Sequence, residues 1–337
     1  MTPEPAPSDP ETEAAPPRRS SLAQKVLPWA ITIVCFGYLY TRLAAAAERQ
    51  GASGVPSYLA AIFTDVPWGA WLILMVSYSF AYLLIDTAVL WRVVNWFNAQ
   101  VSYRDLLPVR AATYIISILN EQVGKGAIAV YLNRRDGVPG WQLGSSILFI
   151  MVCEFYYLLA WATIGVFLRW ADLPAALEVF RAIPVIGAGA LVVACIALFL
   201  FRSVRFQDGG FLGRPLLHSF RQASPWQYLT IMLMRSPSLL LGVFVYSQAA
   251  GMFGVEIPFL DMLTYLPVVI FGTFIPGPFR AVAVTLWPTL FPDHAGEMTI
   301  FGFVQHNFFV LFNAAIGLIF LRRANRELFE AEAQSGS

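Results

Sequence analysis

Charge is the first thing this chain is short of. Only 13% of its 337 residues are Asp, Glu, Lys or Arg, about half the ~25% carried by a soluble globular domain. With 22 basic and 21 acidic residues it is nearly neutral, and the charges fall in short clusters. A continuous basic face for nucleic acid is therefore excluded. Histidine is scarce, at three. The three cysteines, Cys35, Cys153 and Cys195, lie singly inside apolar stretches. A disulfide framework and a Cys/His metal site are both excluded by that spacing, and buried free cysteine acts as a small hydrophobe. There is no GxSxG, no HExxH and no Walker lysine. Gly124-Lys125-Gly126 lacks the preceding strand and the glycine spacing of a phosphate loop. No cofactor is expected, and no metal.

Apolar residues are what the chain has, at 58% with a mean hydropathy of +0.62. A spanning helix needs about 20 mostly apolar residues to cross ~30 Å of hydrocarbon. That test gives six spans, at 26–47, 67–92, 141–169, 184–202, 225–253 and 298–321. Residues 1–20 are Pro, Ala, Ser and acid, too polar to bury a core. They are expected to be a disordered cytoplasmic tail. Arg18-Arg19 resembles a twin-arginine signal, but the apolar run that follows is too long for a signal core, so it reads as an uncleaved anchor.

Basic residues set the expected orientation. Arg18, Arg19 and Lys25 precede the first span. Arg92, Arg104 and Arg110, Arg134 and Arg135, Arg202 to Arg221, and Arg322 to Arg326 then fall on one side. The opposite loops are poor in basic residues, so both termini are expected in the cytoplasm.

Two segments do not fit a simple span. Leu106–Leu119 is apolar but short. It breaks at Asn120-Glu121-Gln122-Val123-Gly124-Lys125-Gly126 and resumes to Leu132. Asp261–Ile275 breaks at Pro276-Gly277-Pro278-Phe279-Arg280 and resumes as Ala281–Leu290. Each reads as a re-entrant helical hairpin, the alternatives being an interfacial helix pair or one kinked span. Gly124 precedes Glu154 by nearly the same interval as Gly277 precedes His306. The pattern of span, broken hairpin, span therefore occurs twice, in opposite orientation. Paired interrupted segments in oppositely oriented halves point to a transport site at the repeat interface. The expected fold is an all-α polytopic membrane protein, about six spans plus two re-entrant hairpins in an inverted repeat. Its transmembrane domain covers 21–325. Half one is 67–169 with hairpin 106–132, half two is 225–321 with hairpin 261–290, and 326–337 is a cytoplasmic tail.

Broken backbone at membrane depth must be buried in protein or line a wet cavity. Helix ends there supply N–H donors that suit an anion. Glycine allows close approach, and Pro276 and Pro278 enforce the second break. Ionisable residues within spans are costly, and this chain keeps Asp86, Glu121, Lys125, Glu154, Arg235 and Arg280 there. Lys125, Arg235 and Arg280 are assigned to an anionic head group, with Glu121 and Glu154 as counter-charges. Glu154, Tyr157 and Trp161 share a helix face, as do His306 and Asn313. The candidate binding residues are Asn120, Glu121, Gly124, Lys125, Glu154, Tyr157, Arg235, Pro276, Gly277, Arg280 and His306. Asp86 is read as structural, and His306 as a hydrogen-bonded group ahead of a proton relay. Arg235 has a second reading, snorkelling to the cytoplasmic surface. Trp68, Trp71 and Trp170 read as an interfacial belt.

The stretch Asn120 to Gly126, then Tyr131-Leu132, Arg134-Arg135-Asp136-Gly137 and a span with Glu154, resembles the lysylphosphatidylglycerol synthase transmembrane-region family. Ile275-Pro276-Gly277 before a short helix and a final span is similar to that family's second re-entrant motif. The likeness covers most of 20–325. It implies a flippase-like domain in the bacterial inner membrane, moving an anionic or zwitterionic phospholipid or a lipid-linked head group between leaflets. Members also act beside glycosyltransferases, so a partner membrane enzyme is a second expectation, with this chain as a non-transporting accessory protein. A soluble synthase domain after Arg326 is not expected, nor is synthesis of a modified lipid by this chain alone. An intramembrane activity using Glu121 and Glu154 stays as a third reading. Gln122-Val123 stands where the family usually has Pro-Gly, Phe155 replaces an Arg, and Pro278, Arg280 and Ala283 replace a Gly-Gly-x-Gly-Glu pattern. The lipid itself is therefore not given by the resemblance.

Overall fold

In a computed structural model of the chain, residues 22–117, 121–173, 175–203, 214–275 and 280–335 are described. The tail at 1–20 and the tip residues Asn120, Pro276 and Gly277 lie outside them. Glu121, Gly124 and Lys125 are described for their backbone only.

Every long element among the described residues is an α-helix. In chain order they are α1 (Leu22–Arg49), α2 (Val55–Asp65), α3 (Trp68–Phe97), α4 (Tyr103–Ser117), α5 (Glu121–Asp136), α6 (Gly140–Leu168), α7 (Ile183–Arg202), α8 (His218–Gln222), α9 (Pro225–Met252), α10 (Phe259–Gly272), α11 (Ala281–Leu290) and α12 (Ala295–Ser335). Six of them, α1, α3, α6, α7, α9 and α12, are long and apolar enough to cross a membrane. These are the six spans read from hydropathy, with ends shifted by a few residues. Twenty residues at 1.5 Å each reach ~30 Å, so even the shortest, α7, is sufficient.

The lateral surface agrees with a bilayer as solvent. In α7 no side chain is buried, and Val185 (72%) and Phe199 (71%) stand almost fully open, as does Val34 (72%) in α1. Apolar exposure on this scale would be a liability in water. Against lipid tails it costs nothing, because the tails are as apolar as the side chains.

Local chemistry fixes the helix ends. Helix α9 opens on a capping box, in which Ser224 and Gln227 satisfy each other's backbone donors, with Pro225 behind them. Within α9, Pro237 removes one N–H from the ladder. The hydroxyls of Ser236 and Ser238 donate to nearby carbonyls of Met232 (2.9 Å) and Arg235 (2.8 Å). Arg280, just before α11, holds φ 49° and ψ 38°, the left-handed region. It is the non-glycine residue with positive φ among those described.

The first break is narrower than the sequence suggests. Its polar run was expected to stay open from Asn120 to Gly126, yet α5 starts at Glu121 and takes Gly124 and Gly126 into its opening turns. Glycine in a helix costs only ~1 kcal/mol, and α5 packs on α4, α6 and α12. Tertiary packing outweighs that penalty.

Packing between elements is reciprocal. Helix α6 packs on α10, and α12 packs on α4. At each crossing a glycine removes the side chain that would separate the backbones. A Cβ on Gly165 of α6 would lie 2.9 Å from Thr264 Cα, and one on Gly317 of α12 would lie 2.5 Å from the Ala111 carbonyl oxygen. Helices α3 and α9 pack face to face between these two crossings.

Candidate functional site

Four spans carry polar side chains at mid-length. Glu154 is the fifteenth of the 29 residues of α6, and Tyr82 is the fifteenth of the 30 residues of α3. Arg235 and His306 lie comparably deep in α9 and α12. All four line one cavity of about 70 Å³, together with Tyr78, Tyr157, Tyr246, Ser238, Thr273 and Arg280. A water needs roughly 10–15 Å³ on this scale, so the space admits a small polar group and not a whole lipid.

Buried charges are arranged as a chain beside the cavity. Arg235 donates from Nη2 to Glu154 Oε1 at 2.6 Å and from Nη1 to Asp86 Oδ1 at 2.7 Å. The second oxygen of Asp86 accepts from Arg110 Nε and from the Tyr114 hydroxyl at 3.0 Å. Arg110 also reaches Thr113 Oγ1 at 3.2 Å. Asp86, Arg110 and Arg235 are each about 2% exposed, and Glu154 6%. Two carboxylates and two guanidinium groups thus cancel inside the protein. A buried ion chain of this kind holds only when each member is paired and hydrogen-bonded.

Two sequence expectations are corrected here. Arg110 is not a cytoplasmic-surface charge, since it is buried against Asp86 and ties α4 to α3. Arg235 does not snorkel outward. Both of its terminal nitrogens are committed to carboxylates, which leaves Nε as the nitrogen not so engaged. That nitrogen is buried and finds no acceptor among the described residues. Asp86 pairs with two arginines, the arrangement its structural reading expects.

His306 is held from one side. Gly302, one turn earlier on α12, lets the Trp287 ring of α11 lie against the helix; a Cβ there would be 2.4 Å from Trp287 Cδ1. Seated in this way, the indole Nε1 donates to His306 Nε2 at 3.1 Å. An indole nitrogen can only donate, so Nε2 must be the unprotonated nitrogen and the proton sits on Nδ1. His306 is a neutral ring with one N–H left over. That Nδ1 is buried and has no partner among the described residues.

No family model, curated protein or solved structure matches this chain. The resemblance to the lysylphosphatidylglycerol synthase transmembrane region rests on the residues quoted for it.

A second cavity of about 20 Å³ adjoins the first. Tyr82, Arg280 and Phe309 line both, while Tyr114, Ser117, Val310 and Asn313 line the smaller one alone. Ser117 is the last residue of α4, before the first break, and Arg280 follows the second break directly. The edges of the two broken segments therefore meet at one small cavity. Arg280 also lies 5.9 Å from the Phe309 ring centre.

Of the sequence-derived site residues, Glu154, Tyr157, Arg235, Arg280 and His306 come together. Trp161 shares their helix face but turns its indole to Ser236 at 2.9 Å. Trp71 is no belt residue; it is buried, donating to Gln305 at 3.1 Å. Trp170 is exposed as expected. Tyr78, Tyr82 and Tyr246 were not singled out. Tyr78 and Tyr82 stand four residues apart and Asp86 four further, one face of α3. That spacing is the signal that could have found them. Among the described residues no group of His, Cys, Asp and Glu could hold a metal ion.

Proposed function

We propose that this protein translocates phospholipid or a lipid-linked head group between the leaflets of a bacterial inner membrane, and that the head group passes through the mid-span cavity. The observation that carries this reading is the coincidence of three features at one depth. Polar side chains sit at the centres of four apolar spans, a small cavity lies between them, and the edges of both broken segments border the smaller cavity that adjoins it. Polar groups within spans mark substrate pathways when they are not facing lipid. Irregular backbone at membrane depth is tolerated only where it is buried or lines a cavity.

In this reading α4–α5 and α10–α11 are re-entrant hairpins entering from opposite sides, within an inverted repeat. Reciprocal packing supports it: α6 crosses α10 at a glycine and α12 crosses α4 at a glycine. Gly165 follows Glu154 by the same interval as Gly317 follows His306. Both termini are cytoplasmic, by the distribution of arginines between loops.

The test is leaflet exchange of fluorescent phosphatidylglycerol in proteoliposomes, read by dithionite quenching. The protein should accelerate exchange well above protein-free vesicles. Arg280→Ala and Lys125→Ala should each slow it roughly tenfold, the loss expected when one charge-assisted contact of ~1.4 kcal/mol is removed. Unchanged rates in both variants would sink the proposal. Absence of exchange together with a stably co-purifying membrane enzyme would favour an accessory role.

A further inference from the structure

A carried lipid has tails as well as a head group. The mid-span cavity, at about 70 Å³, has room for a small polar group only. Acyl chains are held in hydrocarbon by every CH₂ they bury there. A head group therefore reaches such a cavity through a slot in its wall, with the tails left outside. The contacts around the cavity narrow where that slot lies.

Polar ties close other seams of the wall. Helix α9 is bound to α3 by Arg235 and Asp86 at 2.7 Å, and to α6 by Arg235 and Glu154 at 2.6 Å. Helix α12 is bound to α3, where Trp71 donates to Gln305 at 3.1 Å, and to α11, where Trp287 donates to His306. Helix α10 is held differently, by backbone contacts near its two ends. Gly165 of α6 lies on Thr264 at one level, and at the other a Cβ on Gly272 of α10 would be 3.0 Å from Ala283 Cα of α11. Between Thr264 and Gly272 run about 12 Å of helix. In that interval α6 and α10 meet through aromatic side chains. Phe155 of α6 stands edge-on to Phe271 of α10, ring centres 5.3 Å apart.

These rings run in single file from the lipid side to the cavity. Phe155 is 42% exposed and lies about 100° around α6 from Glu154, which lines the cavity. Phe271 is half-buried and meets Phe274 at 5.9 Å, and Phe274 lines the cavity. A ring contact of this kind is worth about one to three RT. A part-exposed ring on a pinned helix can turn aside by changing rotamer, with no movement of the backbone. Separating a buried arginine from its carboxylate is far costlier.

We propose that the α6–α10 seam is a side slot gated by Phe155 and Phe271, through which a head group enters the cavity while its acyl chains stay in the bilayer against these rings. This rests on the translocation reading and adds the path by which lipid reaches the site.

Two measurements test it. The first places the unmutated chain in nanodiscs holding phosphatidylglycerol with a diazirine at mid-chain, and maps the adducts after irradiation by peptide mass spectrometry. Labelling at Phe155 and Phe271 should exceed that at Phe199, which is 71% exposed on α7, several-fold. Equal labelling would mean passing lipid only and would overturn the slot. The second uses the exchange assay with Cys35 and Cys195 replaced by Ala, which leaves the buried Cys153. Pyrene maleimide on Phe155→Cys should slow exchange about tenfold against the same variant unlabelled. The same label on Phe80→Cys, a position 46% exposed on α3 beside Phe312, should leave exchange close to its unlabelled rate.

A label that slows neither variant, or both equally, would also overturn the slot. The two proposals fail separately. Exchange that ignores the label at position 155 removes this one alone. Acyl chains enriched at the seam of a protein that exchanges no lipid keep the slot and remove translocation alone.

Discussion

Asp86 of α3 is where side chains of α4 and α9 meet inside the protein. It accepts from Arg110, Arg235 and Tyr114 at once. Asp86→Ala strands the buried Arg110 guanidinium and strips Arg235 of one of its two carboxylates, and breaking a buried pair in this way costs about 3–5 kcal/mol. The melting temperature in detergent should fall sharply. Arg110→Met on that background removes the stranded charge, and it should recover part of the loss even though the original contact stays absent. A single variant that melts with the wild type would show that the ion chain is not formed. The site residues legible in the sequence were those costly to bury without a reason: Glu154, Arg235, Arg280 and His306. Tyr78, Tyr82 and Tyr246 were not singled out, because an aromatic in an apolar run looks the same whether it packs on leucine or lines a cavity. Arg110 was misplaced because an arginine after a span usually marks the cytoplasmic edge, and only a facing Asp86 reverses that.

Among elements, close crossings matter most. Membrane helices gain no hydrophobic drive from each other and depend on small residues for intimate contact. A side chain at Gly317 runs into a carbonyl of α4, where no flexible atom can yield, whereas a Cβ on Gly189 of α7 meets nothing within 4 Å. Gly317→Val is therefore expected to destabilise by ~1–3 kcal/mol through overpacking, and to reduce exchange by spreading α12 from α4. Gly189→Val should change neither. Thermal unfolding of the two variants side by side checks this. Equal behaviour would mean that the α4–α12 crossing is looser than described. The paired short helices on either side of each break were readable as interrupted apolar runs. Their partners were not, because a glycine that permits a crossing and one that merely fills a helix are identical in sequence.

At the scale of the whole molecule, the orientation proposed from the arginines fixes which loops face outside. With Cys35, Cys153 and Cys195 replaced, a single cysteine at exposed Ser53, between α1 and α2, should react with impermeant maleimide added outside right-side-out vesicles. One at exposed Gln222, before α9, should react only after the membrane is opened. Labelling of both from the same side would break the alternation of spans on which the orientation rests.

Hydropathy is a local property, and it alone determined that this chain is helical, has six long apolar spans and is interrupted twice by short broken pairs. Lipid sets the length of each run, and every backbone polar group must be satisfied within it. The choice of partners belongs to the tertiary structure. Whether Arg235 meets Glu154 or the headgroup region, and which nitrogen of His306 is left free, depend on how each helix is rotated and where glycines let it approach. Rotation is set by packing across elements far apart in the chain. No window along the sequence contains that information.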